Sequence, residues 1–444
     1  MTLPATSALC SIFTILIAGS PIFYSPTPRG FCSNCCQIKE RDDIKFMLYT
    51  RKNPFKAQNL YLSDDKRLRK SNFNFNHPLV IYLHGFSESA ISERQSSQEI
   101  KDAFLKNGTY NVILIDWSPL TAVPWYTNSV ENLPVAARYM ARFIRFLVQR
   151  GFPVKDIHLI GFSLGAEISG FIGKQLQEWS ILLPRITGLD PALPLFEDGS
   201  SNRRLGPSDA QFVDIIHTDG GILGNPEAMG HVDFYPNGGH ALQPGCARQE
   251  IANNRWLGIL SCSHQRAWEY FIESVHYPMA FPANRCEPSK LFGTCRDGGN
   301  GKAFMGMGAD KRLRGKFFLD TKGESPFGRT AALGSSSAYR RTSAAQTLLP
   351  LQWELQQQTQ QQQQLQVLQR QELHNLVIQQ QQQQNQTLMD IVAPTKVTTS
   401  TTTTTITPTT PTITTYRGKT KRAAPLWLAN KVPNVSASKT NPET

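Results

Sequence analysis

Three residues of this chain are of the types that break an acyl bond by nucleophilic catalysis: Ser163, Asp190 and His264. Ser163 is the centre of Gly161-Phe-Ser-Leu-Gly165. An apolar run, Asp156-Ile-His-Leu-Ile160, precedes it, and a segment with helical periodicity, Ala166 to Leu176, follows. A strand, a Gly-x-Ser-x-Gly turn and a helix together make a nucleophile elbow. Such a turn strains the serine backbone, lifts its hydroxyl into the open and aims the dipoles of the helix N-terminus at it. The glycines leave room for the neighbouring strand and helix. Five loosely specified positions recur by chance. The flanking strand and helix are what separate this pentapeptide from a tight turn with a surface serine.

Asp190 ends a short strand-like run, Arg185-Ile-Thr-Gly-Leu, and Pro191 stops the strand there. That places a carboxylate on the rim where open α/β sheets build their sites. His264 follows Cys262-Ser and opens a helical segment, Gln265-Arg-Ala-Trp-Glu-Tyr-Phe-Ile, so it is expected in that helix's first turn. Taken singly, Asp190 reads as a turn cap and His264 as a structural histidine. Taken with Ser163 they form a nucleophile, a base that accepts its proton, and an acid that fixes the base's tautomer and stabilises the imidazolium. The oxyanion needs donors as well. The Leu164 amide, just after the nucleophile, is one. The Phe86 amide is the other, at the end of the strand-like run Leu79-Val-Ile-Tyr-Leu-His84-Gly85-Phe86. His84 reads as part of that turn rather than as a second base.

These residues need a scaffold. Apolar strand-like runs at 79–84, 111–116, 157–161, 186–189 and 212–217 alternate with helical stretches at about 130–150, 165–178 and 264–276. The alternation argues for a mainly parallel central sheet with helices on both faces. The chain order Ser, Asp, His is that of the α/β-hydrolase fold. The region from 30 to 330 is near the upper size of one hydrophobic core.

Several linked motifs carry a resemblance. Leu83-His-Gly-Phe86, Asn111-Val-Ile-Leu-Ile-Asp-Trp117, Gly161-Phe-Ser-Leu-Gly-Ala166, Gly188-Leu-Asp-Pro-Ala192, Asp214-Ile-Ile-His-Thr-Asp219, Gly230-His-Val-Asp-Phe-Tyr-Pro-Asn-Gly-Gly239 and Cys262-Ser-His264 resemble the pancreatic-lipase family over about residues 40–328. The resemblance is greatest to its insect neutral-lipase branch, which lacks the C-terminal lipid-binding sandwich. It implies ester hydrolysis on glycerolipids, of triacylglycerol lipase or phospholipase A1 type, with Ser163, Asp190 and His264 at the triad positions. Insect yolk proteins keep this fold and lose the serine. The alternative reading is therefore a catalytically idle lipid-binding or yolk-type storage protein. A matrix or mucin-like protein whose tail matters most is a third.

The resemblance also implies disulfides Cys246–Cys262 and Cys286–Cys295. Cys246 and Cys262 enclose an amphipathic segment with Trp256, Leu257, Ile259 and Leu260 on its apolar side. That is the composition of a tethered lid. The lid is shorter than those of the family's triglyceride lipases and nearer to those of its phospholipases, so the two activities are not separated. Arg204-Leu-Gly-Pro-Ser-Asp209 resembles the family's structural calcium loop, with Gly206 where some relatives have a carboxylate. The expectation is no cofactor, no catalytic metal, and a calcium site weakened or absent.

Composition fits a secreted protein. Residues 1–20 carry an apolar run, Cys10 to Ala18, then Gly19 and Ser20, which is the length of a signal-peptide core and too short to span a bilayer. The positive start usual in such leaders is missing, since Arg29 is the first basic residue. Three Asn-x-Ser/Thr sites, at Asn107, Asn385 and Asn434, suit the secretory pathway. Eight cysteines suit an oxidising compartment, and losing Cys10 with the leader would leave Cys32, Cys35 and Cys36 as an odd set. Residues 331–444 are rich in Gln and then Thr with Pro, and read as a disordered tail. From residue 326 onward the chain has eleven Lys and Arg against four Asp and Glu, so much of the net +12 lies there. A second basic cluster is Lys66-Arg-Leu-Arg-Lys70. Neither has the aromatic interleaving of a nucleic-acid surface. A lipid interface is the expected partner, with peripheral contact and no identifiable protein partner.

Overall fold

The computed structural model describes residues 10–17, 20–92, 95–197, 202–246, 259–285 and 303–329. The chain divides into two units, Met1–Gln360 and Gln361–Thr444, and every described residue belongs to the first. The tail beyond residue 329, the lid segment 247–258 and the Cys286–Cys295 pairing lie outside the described residues.

The described strands are β1 Phe13–Ile17, β2 Ser20–Tyr24, β3 Lys45–Tyr49, β4 Gln58–Leu60, β5 Leu79–Leu83, β6 Asn111–Asp116, β7 Ile157–Phe162, β8 Arg185–Leu189, β9 Val213–Ile216, β10 Val232–Pro236, β11 Pro282–Arg285, β12 Ala303–Phe304 and β13 Gly315–Leu319. The described α-helices are α1 Glu40–Asp43, α2 Asp65–Lys70, α3 Ser96–Asn107, α4 Tyr126–Glu131, α5 Leu133–Gln149, α6 Leu164–Gln177 and α7 Ile259–His276. β1 and β2 pair with each other. The remaining eleven strands form one sheet in the order β12-β11-β13-β10-β9-β8-β7-β5-β6-β3-β4. From β6 through β5, β7, β8, β9 and β10 to β13 neighbouring strands are parallel. The edges are antiparallel. This is the expected α/β-hydrolase architecture.

The central strands are nearly continuous apolar runs because both faces are covered. β5 shows how. Leu79, Ile81 and Leu83 enter one core, and Val80 and Tyr82 enter the other. Successive side chains of a strand point to opposite faces, so one five-residue run supplies both. The first core lies under α5 and α6 and takes Ala136, Met140, Phe143 and Leu147 from α5. Those positions recur at helical spacing, and Pro134 in the first turn starts that helix where an N–H would have no intrahelical acceptor. The second core lies under α3 and α7 and takes Ile100, Phe104, Trp268 and Phe271.

Two features differ from the sequence reading. α3 was not anticipated, because polar residues at Ser96, Ser97, Gln98, Glu99 and Lys101 dilute its apolar stripe. Packing against α7 supplies the stabilisation that the local pattern does not. The N-terminal cysteines are also placed. Cys32 bonds Cys35, and Cys36 bonds Cys10, the residue expected to leave with a leader. In the full-length chain Cys10 is thus a structural partner, and Arg29 Nη2 donates to its carbonyl at 2.9 Å.

Candidate active site

β7 runs into α6 through the turn at Ser163, and the turn works only with glycine at both of its ends. A Cβ on Gly161 would lie 2.0 Å from the Gly165 carbonyl oxygen, and one on Gly165 would lie 2.2 Å from the Leu83 carbonyl oxygen. Strand and helix therefore approach closer than any side chain allows. Ser163 carries the strain, with φ of 55° and ψ of −122°. A non-glycine residue held there costs about 1–3 kcal/mol. The Ser163 N–H donates to the Leu189 carbonyl at 2.9 Å, tying the elbow to the end of β8.

The next residue along β8's exit is Asp190. Its backbone N–H donates to the Ile216 carbonyl at 2.7 Å, so β9 holds it in turn. Its carboxylate is fully buried. Oδ1 accepts the Thr218 N–H at 2.7 Å and the Asp219 N–H at 3.1 Å. Oδ2 faces His264 Nδ1 at 2.6 Å. An ionised carboxylate there makes Nδ1 the protonated nitrogen of a neutral imidazole and leaves Nε2 as the proton acceptor. Gly224 is what lets the chain pass so near, since a Cβ on it would lie 2.5 Å from the carboxylate.

His264 is on α7, its ring 4.6 Å from that of Phe162, the neighbour of Ser163. The helix begins at Ile259, so His264 sits in its second turn, not the first. A disulfide does not interrupt backbone hydrogen bonding, and no Pro or Gly lies between Ile259 and His264. Cys262 does bond Cys246, two residues before the histidine. Gln243 braces the same place: its N–H donates to Ser263 Oγ at 2.9 Å, and Tyr270 Oη donates to its Oε1 at 3.2 Å.

The two expected oxyanion donors flank the nucleophile. Leu164 is the first residue of α6, where N–H groups have no intrahelical acceptor. Phe86 follows Gly85, whose Cβ position would be 3.0 Å from the Ser163 Cβ. The loop after β5 thus passes beside the hydroxyl-bearing carbon. His84 belongs to that turn: its Nδ1 lies 2.9 Å from the Gly85 carbonyl, and its Nε2 accepts the Trp117 N–H at 3.2 Å.

One residue at the site was not singled out from the sequence. Asp219, just past β9, is buried beside the pair, and ligand atoms of Asp190, Asp219 and His264 all lie within 4.8 Å of one another. Its Oδ2 accepts the Leu223 N–H at 3.2 Å, while Oδ1 has no partner. Burial, then the charge of Asp190, push its carboxyl up to about 6. The available signal was an acid at the C-terminal end of another rim strand. Among the described residues these three also make a possible metal-binding group. Asp190 already spends both oxygens on N–H donors, which leaves the cluster poorly supplied with free ligand atoms.

A doubly covered parallel sheet, with a serine elbow beside a buried Asp–His pair, is the frame of a hydrolase of the α/β class. Comparison with known proteins places the chain within it. The family model described as Lipase matches residues 27–327, and the chain belongs to that family, among the pancreatic lipases. It is 34% identical over 338 residues to inactive pancreatic lipase-related protein 1 of Homo sapiens, covering 70% of each chain. It is 34% identical over 311 residues to pancreatic triacylglycerol lipase of Mus musculus, covering 65% of each. Against lipase member H of Xenopus tropicalis it is 36% identical over 257 residues, 57% of this chain and 54% of that one. The chain spans from about half to seven tenths of these relatives' lengths.

Proposed function

We propose that this protein is a secreted serine esterase that hydrolyses ester bonds of glycerolipids at a lipid–water interface. The observation that carries the reading is the 2.6 Å Asp190–His264 bond standing beside the strained elbow of Ser163. In this reading Ser163 Oγ attacks the ester carbonyl carbon while His264 Nε2 takes its proton. The tetrahedral oxyanion is held by the N–H groups of Leu164 and Phe86. The C–O bond then breaks, and His264 returns the proton to the departing alcohol. Water deacylates Ser163 by the same steps, releasing the fatty acid. Asp190 keeps its negative charge throughout and stabilises the imidazolium.

Whether triacylglycerol or the first acyl chain of a phospholipid is the better substrate is tested by assaying both emulsions side by side. The names of the relatives support the first choice through pancreatic triacylglycerol lipase. The short Cys246–Cys262 segment supports the second, because a short lid leaves the mouth open to bulky head groups. No helix among the described residues is long and apolar enough to cross a membrane. The leader-like N-terminus and the Cys32–Cys35 and Cys246–Cys262 disulfides support secretion. Asn107, exposed at the end of α3, is a candidate glycan acceptor.

A catalytically idle lipid-binding protein is the second reading, favoured by two relatives whose names describe them as inactive. Hydrolysis of a soluble short-chain ester separates the two. Ser163→Ala should lower turnover by about four to six orders of magnitude with the fold intact. A fluorophosphonate should label Ser163 in the unaltered protein. An unlabelled, inactive but folded protein would establish the idle reading instead.

A further inference from the structure

The segment expected to resemble a calcium loop already holds a cation. Lys174, on the third turn of α6, places Nζ 2.7 Å from Asp209 Oδ2 and 2.8 Å from the Arg204 carbonyl oxygen. These are two of the oxygens that the loop directs toward α6. Asp209 is fully buried, and Lys174 is about a quarter exposed. A divalent calcium ion needs about six to eight oxygens at about 2.3–2.6 Å. The described residues do not offer them. Gly206 has no side-chain oxygen, and its N–H instead donates to Asp209 Oδ2 at 2.8 Å. Glu167 Oε2 is taken by the Leu205 N–H at 2.8 Å.

Space tells the same story. The loop lies directly on two glycines of α6. A Cβ on Gly170 would be 2.6 Å from the Leu205 Cα, and one on Gly173 would be 2.4 Å from the Asp209 carbonyl oxygen. Gln177 Nε2 ties the Ser208 carbonyl down at 2.9 Å one turn further on. A contact this close has no room for a hydrated ion between helix and loop. An ammonium brought in on a flexible side chain needs none, and its three N–H donors make charge-assisted bonds to the oxygens it meets.

We propose that the Lys174 ammonium is the built-in cation of this loop, standing where relatives use a metal ion, so that the fold of this protein does not depend on calcium. The loop 202–209 leads from the site rim to β9, and Lys174 is on the helix that follows the nucleophile. The lysine therefore fastens the elbow helix to the loop that leads into the strand supporting Asp190. Two buried oxygens, Glu167 Oε1 and Asp209 Oδ1, have no hydrogen-bond partner and are where a competing metal would look for ligands.

Thermal unfolding of the full chain, in chelator and in millimolar calcium chloride, tests this. The unaltered protein should unfold at the same temperature in both. Lys174→Met should unfold lower in both, by on the order of 5–10 °C, because it leaves a buried carboxylate without its counter-charge. The double variant Lys174→Ala, Gly206→Asp, which removes the ammonium and adds a carboxylate, should regain stability in calcium and not in chelator. A saturable rise in the unfolding temperature of the unaltered protein with calcium overturns the proposal. So does a Lys174→Met protein as stable as the original, or a folded double variant indifferent to calcium. None of these readouts depends on ester hydrolysis, so they stand or fall separately from the proposed activity.

Discussion

Asp219 gives the site a pH-sensitive carboxyl. Its carboxyl ionises at about 6, raised by burial and then by Asp190. Above that pH its charge favours the imidazolium that His264 becomes in the proposed mechanism. Below it, the group is neutral and contributes no charge. Asp219→Asn should therefore reduce turnover above pH 6, by about tenfold at most, and match the original enzyme below it. The pH–rate profile of a soluble ester, from pH 5 to 8, reads this directly. The stability effect has the opposite sign. The folded state holds this proton more tightly than the unfolded state, so stability falls as pH rises from about 4 to about 6. Asp219→Asn should then be more stable than the original at pH 7, by roughly 1–2 kcal/mol in denaturant titration. Gly165 is the other decisive residue. A methyl there meets the Leu83 carbonyl oxygen at 2.2 Å. Gly165→Ala should cost about 2–3 kcal/mol or more and remove activity by displacing the elbow.

At the scale of elements, α7 carries both His264, the proposed base, and Cys262, which bounds the expected lid. Cys262 lies on α7 two residues before His264, and its partner Cys246 closes a loop with a sequence separation of 16. A loop of that size loses about 3 kcal/mol of unfolded-state constraint when the bond is removed. The paired change Cys246→Ser, Cys262→Ser should lower the unfolding temperature. It should also reduce hydrolysis of emulsified lipid more than that of a soluble ester, since the soluble substrate does not need an ordered lid. Equal losses on both substrates would mean that the bond serves the base alone. Free thiols at both positions in the purified protein would remove the premise.

At the scale of the molecule, the last described residues are fastened to the domain before the compositional change in the sequence. Glu273 on α7 accepts the Phe327 N–H at 2.6 Å and the Gly328 N–H at 2.7 Å, and the Phe327 side chain is buried in the second core. The Lipase match ends at the same residue. Beyond it the sequence passes into the Gln and Thr runs, whose composition is poor in apolar residues. A chain ending near Thr330 should fold, be secreted and hydrolyse a soluble ester at near the full rate. If the tail acts through its basic residues, its removal should weaken adhesion to anionic lipid in a manner that added salt mimics. A folded, inactive truncation would place part of the site in the tail.

Much of the site was legible in the sequence because its determinants are local. Gly161, Ser163 and Gly165 form one turn whose sterics need no distant partner, and the apolar runs of β5 to β9 declare a sheet covered on both faces. Asp190 was legible as a strand end and His264 as a helix residue. That the two meet, across 74 positions of sequence, is a product of the sheet order and of the packing of α7 on the second core. Three features depended wholly on such packing. α3 is stabilised by α7 rather than by its own pattern. Asp219 becomes part of the site only when β9 lies next to β8. Lys174 becomes a bound cation only when Gly170 and Gly173 let the loop settle on α6. In each case the partner is remote in the chain, and a residue type by itself says nothing about what tertiary contact will bring beside it.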